Sequence, residues 1–160
     1  MTLERSQSVF EVTVAVDPPL EGRLKATILE GPDEKVSNRI IRIDQDWKVR
    51  VHWDLTGALV PCICGYWCLS LFLESIGPGP ELKLPEREIK IPLDPCGNGE
   101  YSYDLRIAAH TIEDKHCSIP FKPVVALTYL DYCERPGPMA GFCELPVVQF
   151  YRDEKQQQHP

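Results

Sequence analysis

Three cysteines fall close together, as Cys62-x-Cys64-x3-Cys68. Zinc takes about four nitrogen or sulfur ligands in a tetrahedron, commonly from pairs spaced Cys-x2–4-Cys. The Cys62/Cys64 gap is tighter than that. A fourth ligand has to come from afar, with Cys96, His116, Cys117, Cys133 and Cys143 as candidates. The same thiols could instead sense redox state. The plainer reading makes them small buried apolar side chains, because free cysteine is among the most buried residue types.

Other chemistry-bearing residues are sparser. His52 and Asp54 share the polar face of one predicted strand with Lys48 and Arg50. A histidine beside an aspartate suggests an oriented general base for a small hydrolase or lyase. No Gly-x-Ser-x-Gly supplies a nucleophile, and a solvated face of mixed charge accounts for the same residues. His116-Cys117 needs a loop to act as a dyad, since neighbours on a strand face opposite ways. Asp94, Asn98 and Glu100 place oxygen ligands in a Gly-rich turn, but Cys96 interrupts the calcium-loop pattern. Asx-turn chemistry explains Asp94 and Asn98 without a metal. Asp131, Glu134, Glu144, Asp153 and Glu154 read as solvated surface.

The elements that must position these groups are strands. Fifteen prolines and ten glycines punctuate 160 residues, which starves helices. Between them the period is two. Phe10, Val12, Val14 and Val16 form one apolar row, Leu24, Ala26 and Ile28 a second, and Trp47, Val49, Val51, Trp53 and Leu55 a third. Ile89, Ile91 and Leu93 follow the rule, as do Tyr101, Tyr103, Leu105 and Ile107. One buried face and one wet face predict antiparallel sheet. Residues 65–73 and 123–132 are apolar on both faces and predict central strands. Residues 138–151 predict a closing strand broken at Pro146. His110–Lys115 predicts at most one helical turn. The expected architecture is all-β, an antiparallel sandwich of about eight or nine strands. A single domain is expected over residues 9–152, flanked by flexible termini at 1–8 and, Gln-rich, at 153–160.

Residues 94–107 resemble the E–F corner and F strand of immunoglobulin-like sandwiches. They run Asp94-Pro95-Cys96-Gly97-Asn98-Gly99-Glu100-Tyr101-Ser102-Tyr103, then alternate through Leu105 and Ile107. The resemblance puts Tyr101 at the corner, its ring in the core and its hydroxyl on an upstream backbone group. The strand Trp47–Leu55 is similar to an early core strand of that family. Tyr103 stands where antibody-type domains carry a cysteine, and no cysteine on Trp47–Leu55 is there to pair with one. The motif covers roughly a tenth of the chain and bears on fold alone.

Formal net charge is −7, from 17 Lys+Arg against 24 Asp+Glu. Such a chain is a poor non-specific partner for phosphate backbones or anionic lipid. Residues 58–73 are mostly apolar but too short for the roughly 20 residues a bilayer needs. The polar start lacks an apolar signal region, so the cytoplasm is the expected compartment, with the seven cysteines mostly reduced. An odd number cannot close a full disulfide framework.

The second face of residues 65–74 carries the binding expectation. With Trp67, Leu69, Leu71 and Leu73 pointing inward, Tyr66, Cys68 and Phe72 point outward, and exposed aromatics mark interfaces. A covering loop, residues 58–63 or 80–85, is the competing expectation. The resulting reading is a non-catalytic interaction or structural module without a cofactor. It binds a protein partner or its own copy, as a homodimer, through an apolar face with Tyr66 and Phe72 or through an edge strand. The alternatives are a metal or redox protein using Cys62, Cys64 and Cys68, and an enzyme using His52 and Asp54.

Overall fold

Alternation along the chain produces strands wherever one row of side chains is apolar, and the computed structural model follows it. The structure describes residues 6–12, 20–37 and 39–153. The expected row through Val14 and Val16, the first five residues and the Gln-rich end after Asp153 lie outside them. All regular structure described is strand, apart from two short 3-10 turns at Val60–Cys62 and Asp114–His116. The second falls at the end of the segment expected to make a helical turn.

Twelve strand segments are described: β1 (Ser6–Val9), β2 (Glu11–Val12), β3 (Glu21–Glu30), β4 (Lys35–Val36), β5 (Ile40–Arg42) and β6 (Trp47–Thr56). There follow β7 (Tyr66–Ser75), β8 (Leu82–Pro92), β9 (Glu100–Ile107), β10 (Pro120–Leu130), β11 (Pro136–Glu144) and β12 (Val148–Tyr151). The number exceeds eight or nine because two strands are split and because the short segments β4 and β5 add to those the alternation predicts. Phe10 separates β1 from β2, and the Pro146 region separates β11 from β12.

Two sheets enclose one core. The first runs β1-β3-β6-β9, with β4 on the end of β3. The second runs β8-β7-β10-β11-β2, with β12 continuing beyond β11 along β10 and carrying β5 in parallel at its edge. β7 and β10 are central, as their two apolar faces require. They pair over ten consecutive residues, from Phe121 opposite Ser75 to Leu130 opposite Tyr66. β9 pairs β6 and forms an edge of the first sheet among the described strands. β1 pairs with β3, and its residues Ser6–Ser8 fall in the segment expected to be a flexible terminus.

The chain start belongs to both sheets. β1 pairs β3 and β2 pairs β11, with the switch at Phe10. The Phe10 ring sits where Gly22 of the first sheet and Gly141 of the second have no side chain; a Cβ at either glycine would strike it.

Trp67 centres the core and is fully buried. Phe10, Trp53, Tyr101 and Tyr129 surround it with ring centroids at 5.6, 6.3, 5.8 and 6.2 Å, all edge-to-face. Trp53 stacks on Tyr101 at 5.6 Å. Edge-to-face pairs add to the area that aromatic rings bury. The hydroxyls of the two tyrosines reach out of the core at one pole. The Asp94 N–H donates to Tyr101 OH at 3.1 Å, and Tyr129 OH donates to the Cys64 carbonyl at 2.5 Å.

Removing the Trp67 ring strips contacts from four partners at once. Trp67→Ala is expected to cost about 3–5 kcal/mol, the range for large aromatic truncations. Tyr101→Phe keeps the ring and loses one hydrogen bond, so about 1 kcal/mol is expected. Denaturant unfolding checks both; equal losses would show that the corner bond, not the ring packing, holds this end.

Candidate functional site

The outer faces of the two sheets differ in kind. On the first, the polar rows of β3, β6 and β9 meet in register. His52 lies between Lys25 and Ser102, and Asp54 between Arg23 and Glu100. A charge network fills the next positions. Lys48 Nζ reaches Glu34 at 2.5 Å and Asp104 at 3.0 Å, while Arg50 Nε donates to Asp104 at 2.9 Å. The Arg50 guanidinium, with help from Lys48, pushes the Asp104 carboxyl down to about 2. Those partners raise the Lys48 ammonium and Arg50 guanidinium above their ordinary values.

A cleft of about 760 Å³ opens beside this network between the edge strands β8 and β9. Arg50, His52, Ser102, Tyr103, Arg106 and Ile89 are among the residues that line it. His52 lines this cleft and Asp54 is not among its lining residues; the two lie two positions apart on the outer face of β6. Arg50 is committed to carboxylates, and His52 is exposed.

The cysteines separate into two populations. Cys68 projects outward from β7 yet is buried; its thiol donates to Glu88 Oε1 at 2.9 Å. Burial first, and the Glu88 carboxylate second, push that thiol up to about 11. A thiol held protonated is a poor metal ligand and a poor nucleophile. Cys143 is buried in the core, where desolvation also pushes it up to about 11. Burial raises Cys117 too, the opposite of what a Cys–His dyad needs. Its neighbour His116 is buried edge-on against Phe121 at 6.3 Å, and its Nδ1 has no hydrogen-bond partner among the described residues.

Cys62, Cys64, Cys96 and Cys133 are exposed. The topology carries all four to one pole: the first two on the β6–β7 loop, the third on the β8–β9 loop, the fourth on the β10–β11 loop. Cys68 therefore parts company with Cys62 and Cys64. Among the described residues, no three Cys, His, Asp or Glu side chains are grouped to hold a metal ion. In the β8–β9 turn, Asp94 Oδ1 accepts from the Cys96 N–H and Asn98 Oδ1 from the Glu100 N–H, the Asx-turn pattern.

The second sheet's outer face is apolar at its centre. Tyr66 and Phe72 are half-buried on it. They lie about 20 Å apart, six extended residues along β7, so they do not share one patch. Phe72 faces Val124 of β10, and Ala126 of β10 faces Phe142 of β11. The four make an apolar diagonal across three strands. Phe142 is 59% exposed. Sequence reading missed it because residues 139–143 are apolar or small at every position, which hides the alternation. The Lys83 ammonium stands 5.9 Å above the Phe72 ring and covers it in part. Of the two segments expected to cover this face, 80–85 runs into β8, where Leu82, Lys83 and Leu84 pair with β7 in the same sheet, and 58–63 packs Leu59, Val60 and Ile63 against the core. Lys122 pairs with Glu144, and Lys90 with Glu134, around the rim; Asp131 of the acidic C-terminal set pairs with Arg135.

No protein-family model matches the chain, and no curated protein matches it. Among the described residues no helix is long and apolar enough to cross a membrane.

The Asp104 network makes an acid-stability prediction. Its folded carboxyl titrates below the ordinary 3.8, so the stabilisation is fully present above about pH 4 and is lost as pH falls towards 2. Asp104→Asn is expected to lower the unfolding midpoint at pH 7, with the gap to wild type closing between pH 4 and 2. A gap that stays constant with pH would show that the charge of Asp104 is not what stabilises.

Proposed function

We propose that this chain is a non-catalytic binding module, an immunoglobulin-like sandwich of the cytoplasm that pairs with a second copy of itself. The pairing surface is the outer face of the β8-β7-β10-β11 sheet. The apolar diagonal Phe72–Val124–Ala126–Phe142 carries this reading, because a wet sheet face has no structural need for it.

Charge favours self-pairing. Around the diagonal, Lys83, Lys90 and Lys122 stand against Glu74, Glu88 and Glu144, with Glu11 at the far rim. The face is close to neutral in a chain of net charge −7. Two copies can approach through it with little of the repulsion their other surfaces carry. A twofold axis would set each copy's lysines against the other's glutamates. Size is adequate as well. Four strands at about 4.8 Å spacing and ten residues at about 3.3 Å rise make a face of roughly 600 Å². Two such faces bury on the order of 1,200 Å², the lower end for specific interfaces.

Pairing through an edge strand is less favoured. The β8 edge is interrupted opposite Ser70, where Pro85–Glu88 leave the ladder, and prolines and charges blunt edges. The immunoglobulin-like assignment draws support from the Tyr101 hydroxyl, which bonds the backbone upstream at Asp94. It is strained by strand order, since β6 stands between β3 and β9 and the tyrosine strand lies at an edge. Seven free thiols fit a reducing compartment.

Light scattering after size exclusion tests the pairing. Wild type is expected as a dimer, and Phe142→Lys as a monomer with unchanged circular dichroism. A monomeric wild type, or a dimer indifferent to both Phe142→Lys and Phe72→Lys, overturns the proposal.

A further inference from the structure

Among the described strands, β9 has a neighbour on one side only. Paired residues of an antiparallel ladder alternate between those that exchange hydrogen bonds and those that exchange none. The Leu55 N–H donates to the Gly99 carbonyl at 2.9 Å, so that pair is of the bonded kind. Stepping by two along the unbroken register puts Tyr101, Tyr103 and Leu105 in the same class, opposite Trp53, Val51 and Val49. Glu100, Ser102, Asp104 and Arg106 then turn their backbone N–H and C=O groups away from β6. The Glu100 N–H does so, and the Asn98 side chain accepts it at 3.0 Å. No described backbone group meets those of Ser102, Asp104 and Arg106.

These groups lie along the cleft of about 760 Å³ between β9 and β8, the edge of the other sheet. Its size is that of a ligand site, roughly 300–1,000 Å³. Tyr103 belongs to the inward row of β9, yet it is 37% exposed, because the cleft and not a further strand lies beside it. Ile89 lines the same cleft from β8, packed against the core. β8 leaves its ladder at Pro85–Glu88, and Pro85 borders the opening. The charged lining is Arg50 and Arg106 against Asp104 alone, net positive in a chain of net charge −7. Lys48 and Arg50 already hold Asp104, whereas Arg106 stands 3.9 Å from it with a side chain 76% exposed. Arg106 is therefore the cation with most capacity left for a ligand.

We infer that the β9 edge is a docking site for an extended peptide segment of a partner protein, one that alternates apolar and carboxylate-bearing residues. The segment adds to the first sheet as a strand, its backbone bonding Ser102, Asp104 and Arg106. One apolar side chain points inward, between Tyr103 and Ile89. The residues on either side of it point outward, and a carboxylate there lies beside Arg106. The edge from Glu100 to Arg106 spans about 20 Å, six extended rises, so the matching segment has about seven residues. Backbone bonds give such a complex its affinity, and the alternate side chains give it specificity. This edge belongs to the other sheet than the Phe72–Phe142 face, so the two contacts stand or fall separately.

The probe is the capped, fluorescently labelled peptide Thr-Val-Glu-Phe-Glu-Val-Thr, whose palindromic order serves both strand directions. Fluorescence anisotropy with the full chain reads its binding. Saturable binding is expected below about 1 mM, weakening with salt. The analogue with lysine for both glutamates should bind about tenfold more weakly or worse. Amide hydrogen exchange at Ser102, Asp104 and Arg106 should slow on binding, while Tyr103 and Leu105, bonded to β6, should keep their rates. Ser102→Pro removes one outward N–H and spares the β6 ladder. It should weaken binding about three- to tenfold with unchanged circular dichroism. Arg106→Glu should abolish the preference for glutamate over lysine. The exchange measurement on wild type needs no variant to fold. No saturable binding, equal binding of the two peptides, or protection elsewhere than at the β9 edge would each overturn the assignment. So would a wild-type dimer that Ser102→Pro breaks, since a second copy would then occupy the edge.

Discussion

The fold turns on one contact set, the edge-to-face enclosure of Trp67 by Phe10, Trp53, Tyr101 and Tyr129. Those rings come from both sheets and from the strand that switches between them. Aliphatic rows from two sheets interdigitate without a preferred orientation of one side chain on the next. Edge-to-face rings add such a preference. The indole N–H groups of Trp53 and Trp67 have no acceptor among the described residues. Ring packing and apolar burial must outweigh their desolvation, which makes this region intolerant of polar substitution.

The same rings organise the pole where the thiols lie. Tyr101 fixes the turn that carries Cys96, and Tyr129 fixes the loop that carries Cys62 and Cys64. An amphipathic side chain does two things here: the ring joins the core, and the hydroxyl stiffens a loop that would otherwise be shaped by solvent. The opposite surfaces of the molecule are ordered by other means. The first sheet's outer face is locked by the Lys48–Glu34–Asp104–Arg50 charges, and the second's is left apolar.

What could be read from the sequence followed periodicity. The rows through Trp47–Leu55 and Tyr101–Ile107 gave β6 and β9, because single-sided burial writes itself as alternation. The doubly apolar runs gave central strands for the related reason that both faces are covered. Position within the sheets was less legible. Tyr101 follows the turn that the neighbouring glycines predict, yet its strand lies at an edge among the described strands, since pairing partners are set by long-range contacts that spacing does not encode. The cysteines show the same limit. Cys62, Cys64 and Cys68 look like one cluster in the chain, but a strand begins between the second and third and turns Cys68 onto a sheet face. Cys96 and Cys133, distant in sequence, arrive at the pole by topology alone.

The strand switch at Phe10 bears on how the molecule resists force. Tension applied through the beginning of the chain would load β1 and β2 together, one hydrogen-bonded to each sheet, while the Phe10 ring is seated between Gly22 and Gly141. Peeling the first strand therefore means unseating a clasp that both layers share. An attachment at the other terminus would pull instead on β12, which lies in one layer only. The two ends of this chain are mechanically unlike, and a tether at the first would report on the cohesion of the whole body.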